Sequence, residues 1–154
     1  IVSEQVSYVN APVLAEQRGI AVRLITTPDV DDYRNLLTIR GALSDGTQLE
    51  VAGTLTGPKQ IQKLVGVNGY DLEIPISEHL LVLIYQDRPG VIGALGRILG
   101  EAEINIAGMQ VARNSEGGQA LSLLTVDSSV PQDVLEGVRE AIGATVAREV
   151  DLQD

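Results

Sequence analysis

The run Leu80-Leu81-Val82-Leu83-Ile84-Tyr85 constrains this chain more than any other feature. It is apolar at every position rather than at alternate ones. A strand built from it must bury both faces, which fits a central strand covered by helices. The 154 residues can supply that cover: 44% are hydrophobic and 21% charged, the balance of a globular chain. A chain of this length removes roughly two thirds of its unfolded surface from water, so it folds without staples. With four Tyr, no Phe and no Trp, the core must come from Val, Ile, Leu and Ala.

The same composition excludes several functions. Zero Cys rules out disulfides and thiolate metal sites and removes the usual sign of a secreted protein. The one His, His79, argues against a His-based metal site or a Ser-His-Asp triad. Eleven basic against 21 acidic residues give a net charge of −10, the wrong sign for binding nucleic acid or a membrane surface. No apolar run reaches membrane-spanning length and no signal peptide opens the chain. Starting at Ile1 without an initiator Met, it reads as a piece of something longer.

A boundary is expected at Pro75-Ile76-Ser77-Glu78, dividing residues 1–76 from 77–154. The first part carries 6 basic and 9 acidic side chains, the second 5 and 12. Val2, Val6, Val9 and Val13-Leu14 recur at helical spacing, and Pro12 either breaks that helix or starts a second one, which Gly19 stops. Residues 20–25 read as a strand. Runs at 36–43 and 47–55 flank Asp45-Gly46, a hairpin signal because a type I′ turn needs positive φ at both central positions. After a Gly57-Pro58 break, residues 61–67 and 70–76 form a second strand pair, turned at Asn68-Gly69. This first part is therefore mostly antiparallel sheet with one helical entry.

The second part reads as β-α-β-β-α-β. Asp87 and Pro89 suit the cap and first turn of a helix whose buried stripe is Val91, Ile92, Leu95, Ile98, Leu99 and Ala102. Residues 104–111 and 120–126 are strands joined through 114–118. A second helix starts at Pro131, buries Val134, Leu135, Val138, Ala141 and Ile142, and ends at Gly143. Residues 145–152 are the last strand. That order is the split βαβ of ferredoxin-like domains, so the fold class is α+β. Gly90, Gly93 and Gly96 fall within a helical pattern, where they read as close helix packing and not as a dinucleotide fingerprint.

The segment Tyr85-Gln86-Asp87-Arg88-Pro89-Gly90-Val91-Ile92-Gly93, with Ile104-Asn105-Ile106 eighteen residues after Asp87, resembles the ACT domain, a ferredoxin-like module that binds amino acids and regulates metabolic enzymes. In the first part, Tyr8-Val9-Asn10-Ala11-Pro12, Gly19-Ile20, Gly53-Thr54-Leu55 and Gly66-Val67-Asn68-Gly69 are similar to the later part of an extra, allosteric domain. That domain precedes the ACT domain in the long-form D-3-phosphoglycerate dehydrogenase family, and a related one occurs in some iron–sulfur L-serine dehydratases. The resemblance implies the cytoplasmic, regulatory C-terminal end of an enzyme that oxidises 3-phosphoglycerate with NAD. Upstream catalytic domains would hold the NAD. No catalytic residue and no cofactor are expected here, but an ACT-mediated homo-oligomer inhibited by L-serine is. Two other readings stand: an ACT oligomerisation module that has lost its ligand, and the regulatory part of an L-serine dehydratase.

A buried amino acid needs partners for both its carboxylate and its ammonium. Backbone N–H groups where the helix starts, at Pro89, Gly90, Val91 and Ile92 and beside Arg88, suit the carboxylate, and Asp87 suits the ammonium. The resemblance implies that Tyr85 and Asp87 of one subunit and Asn105 of its partner hold the effector. Tyr85 stands where some relatives have His, and Asp87 where they have Asn. Lys59 and Lys63, with Arg88, are a candidate anion site, though a solvated basic patch is the plainer reading, because the His and Arg that some relatives use are missing around Tyr70-Asp71-Leu72. His79 reads as a linker residue. Arg18, Arg23, Arg34 and Arg40 read as surface or ion-pair residues.

Overall fold

The computed structural model describes residues 6–7, 9–28, 32–42 and 46–152. The chain forms two compact units, residues 1–32 and 33–154. In the first, α1 (Ala11–Gln17) has Pro12 in its first turn, where a missing N–H costs nothing. Ser7 and Asn10 brace its entry: the Ser7 N–H donates to Asn10 Oδ1 at 2.6 Å. Gly19, at φ 67°, ends it in the left-handed region. Pro12 thus starts a helix; the stretch around Val2 lies outside the described residues. Residues 20–25 are not a strand, and Ile20, Val22, Leu24 and Ile25 are exposed. A β-prone run without a neighbour to complete its ladder has nothing to hold it extended.

The second unit holds two four-stranded antiparallel sheets. The first comprises β1 (Leu37–Ala42), β2 (Gln48–Thr56), β3 (Ile61–Val67) and β4 (Tyr70–Pro75), paired in chain order. Asn68 and Gly69, at φ 48° and 79°, make the tight β3–β4 turn that their side chains favour. The β1–β2 register closes at Ala42 opposite Gln48, and Asp45 of that turn lies outside the described residues. Arg40 forms an ion pair with Glu50, its partner across the ladder.

The second sheet is built by β5 (His79–Gln86), α2 (Val91–Glu101), β6 (Ile106–Arg113), β7 (Gln119–Val126), α3 (Gln132–Ile142) and β8 (Val146–Asp151), with strand order β6-β7-β5-β8. This is the expected ferredoxin-like arrangement. β5 lies between β7 and β8, as its uniform hydrophobicity requires. Leu81, Leu83 and Tyr85 point to one face and pack with Ala120, Leu124 and Val126 against Val91, Leu95, Leu99, Leu135, Val138 and Ile142 of the two helices. The opposite face is not covered by helices, contrary to expectation. Val82, Ile84, Leu121, Leu123 and Ala112 pack there against Tyr70, Leu72 and Ile74 of β4. The Glu73 N–H also donates to Gln110 Oε1 at 2.8 Å across the two sheets. An antiparallel strand with alternating burial offers one apolar face, which suffices to close that side.

Three further expectations need correction. Ile92 and Ala141 are exposed, because the buried faces run through Val91, Leu95 and Leu99 and through Leu135, Val138 and Ile142. Gly93 and Gly96 do not serve close packing: a Cβ at either would meet nothing within 4 Å. His79 is no linker residue. It opens β5, buried, with Nδ1 3.4 Å from Glu149 Oε1, and Glu149 also accepts the Val130 N–H at 3.0 Å.

Candidate functional site

The turn from β5 into α2 is shaped by Gly90. It occupies the N-cap with φ 94°, a conformation costly for any residue with a Cβ, and no side chain caps the helix. Asp87 is therefore not the cap expected from sequence. Its N–H donates to Gly118 O at 2.8 Å, tying the turn to the β6–β7 connection. Its carboxylate accepts from Arg113 Nη1 at 3.2 Å. Gln86 donates to the Gly117 carbonyl beside it. Arg88 donates to the Ala141 carbonyl at 3.4 Å, near the C-terminal end of α3, where a cation complements the helix dipole. Pro89 and Ile92 are exposed, whereas the Val91 side chain is in the core, so Val91 can offer a ligand only its backbone N–H.

Tyr85 is 2% exposed, on the helix side of the sheet, with its hydroxyl 2.8 Å from Ser122 Oγ. Tyr85→Phe should lower stability by about 1 kcal/mol, because the Ser122 hydroxyl loses its buried partner. Urea unfolding measures this, and an unchanged midpoint would show that the pair contributes nothing.

Asn105 lies at the other end of the domain. It precedes β6, donates from Nδ2 to Asp127 Oδ2 at 2.7 Å, and accepts the Asp127 N–H at 3.2 Å. Asp87 and Arg113 sit where β6 ends, roughly 25 Å away at about 3.3 Å per strand residue. Within one chain the structure thus brings Asp87 to Arg113 and not to Asn105. Sequence reading missed Arg113, since a partner 26 positions away carries no local signal. Lys59 is exposed in the 57–60 turn, and Lys63 on β3 forms an ion pair with Glu73. The structure places Arg88 on a different element, held by α3.

Among the described residues no group of three or more His, Cys, Asp or Glu is placed to hold a metal, and no helix is long and apolar enough to cross a membrane. Gly90 precedes α2, and Gly93 and Gly96 lie within it. They do not form the glycine-rich loop that cradles a pyrophosphate, so this segment does not fit NAD.

Residues 79–143 match the ACT domain family, so this part of the chain is an ACT domain. Residues 1–68 match the D-3-phosphoglycerate dehydrogenase intervening domain. Together the two matches give the order of an intervening-domain segment followed by an ACT domain. It is 36% identical over 152 residues to the D-3-phosphoglycerate dehydrogenase of Mycobacterium leprae, covering 99% of this chain and 29% of that protein. The enzymes of the same name from Synechocystis and Bacillus subtilis are 33% and 30% identical, with 97% and 98% of this chain and 26% and 28% of those proteins covered. The chain thus spans less than a third of the length of these curated relatives.

Proposed function

We propose that this chain is the C-terminal regulatory region of a cytoplasmic D-3-phosphoglycerate dehydrogenase, and that its ACT domains pair and bind L-serine as a feedback inhibitor. The NAD-dependent oxidation belongs to catalytic domains upstream in the same polypeptide, with a domain boundary near residue 76. The match of residues 1–68 to the intervening domain favours this parent over an L-serine dehydratase.

The observation that carries the serine reading is the placement of Asp87 and Asn105 at opposite ends of an edge strand. β6 is the edge of its sheet, with Asp87 near its C-terminal end and Asn105 just before its N-terminal end. A twofold axis that sets β6 antiparallel to its copy brings Asn105 of the partner subunit to the Asp87 end, twice per dimer. The serine carboxylate then faces the free N–H groups that open α2, and Asp87 takes the ammonium. Tyr85, two residues before Asp87, would supply its hydroxyl only on leaving its buried partner Ser122, and Arg88, Pro89 and Gly90 shape the turn. Lys59 and Lys63 would take an anion only once Lys63 leaves Glu73.

Serine inhibits by binding one domain arrangement more tightly than another, with a coupling of about 1–3 kcal/mol typical for such control. Titration calorimetry of the dimeric chain with L-serine should give saturable heat with one site per subunit. A dimer that takes up no heat at millimolar L-serine is a ligand-free oligomerisation module instead.

A further inference from the structure

We propose that Arg113 is the specificity residue that makes the Asp87 site select ligands with a free carboxylate. The proposal rests on the reading that this end of the ACT domain binds an amino acid. The Asp87–Arg113 contact is single: Nη1 meets Oδ2 at 3.2 Å, with the two side chains 24% and 59% exposed. A single contact to a guanidinium so open to water adds little to stability, so folding gives weak reason for its placement.

Its chemistry matches a zwitterion. The free amino acid carries an ammonium and a carboxylate on one carbon, and the Asp87–Arg113 pair presents the complementary charges side by side. Insertion of the ligand adds two ion pairs to the one already present and leaves no charge unpartnered. Asp87 Oδ1, unused by Arg113, accepts the ammonium. The guanidinium turns its remaining N–H groups to the carboxylate. Such a planar fork holds a carboxylate through two parallel bonds, which an ammonium cannot reproduce. Arg113 is also the last residue of the edge strand β6, so it stands at the same twofold contact that the serine reading requires.

The test compares the full chain with R113Q and R113K by calorimetry, using L-serine and ethanolamine, which keeps the ammonium and hydroxyl but lacks the carboxylate. R113Q should weaken L-serine by about tenfold to a hundredfold, the size of a lost charge-assisted pair, and leave ethanolamine within about twofold of its starting value. R113K should recover part of the loss for L-serine alone. An L-serine affinity unchanged in R113Q, or an equal loss for both ligands, overturns the assignment while the amino-acid reading stands. A wild-type chain that binds no L-serine overturns both.

Discussion

Leu124→Ala should destabilise the chain by about 2–5 kcal/mol, seen as an earlier urea midpoint with an unchanged slope. Leu124 is fully buried on β7, with Leu81 of β5 and Met109 of β6 as its register partners, and it belongs to the cluster beneath α2 and α3. Strands hydrogen-bonded on both sides cannot collapse into the space a truncated side chain leaves, so the cavity persists and its cost adds to the lost transfer energy. Ile92→Ala provides the contrast. Periodicity alone places Ile92 in the buried stripe, but it is 59% exposed, and its truncation should stay within about 0.5 kcal/mol. Equal losses for the two variants would mean that the helix face is wrongly assigned.

Asp87→Ala should weaken L-serine binding by about tenfold to a hundredfold, because the ligand ammonium loses its charged acceptor in a site partly closed to water. Folding should hardly notice. The bond from the Asp87 N–H to Gly118 O survives the substitution, and the lost ion pair is a single contact to a guanidinium that water already reaches. Affinity and unfolding midpoint therefore need to be read on the same sample. A lost affinity with an intact midpoint supports the amino-acid site; an unchanged affinity assigns the ACT domain to oligomerisation alone.

Much of the fold was legible from local signals. Asn68-Gly69 marked a turn because both positions adopt positive φ, and the strands on either side appear where alternation placed them. The ferredoxin-like half was clearer still, since each helix repeats its apolar residues at three and four and Gly143 ends the second at φ 66°. Residues 20–25 misled for the opposite reason: β-propensity reports a fit to a pleated neighbour, and no ladder forms there. The candidate site was legible in part. Tyr85, Asp87 and Asn105 stood out through the resemblance of their segments, whereas the present partners of these side chains, Ser122, Arg113 and Asp127, did not.

From β1 onward, sequence by itself settled the kinds of element, their order and the demand that β5 be buried on both sides, because hydrophobic period and turn chemistry act over a few residues. Only the tertiary structure decided that α2 and α3 cover one side of that strand and β4 the other, that Asp87 faces Arg113, and that Asn105 stands a strand's length away. Those pairings depend on strand register and on which face meets which, and register is chosen by the packing of the whole sheet rather than by neighbours along the chain.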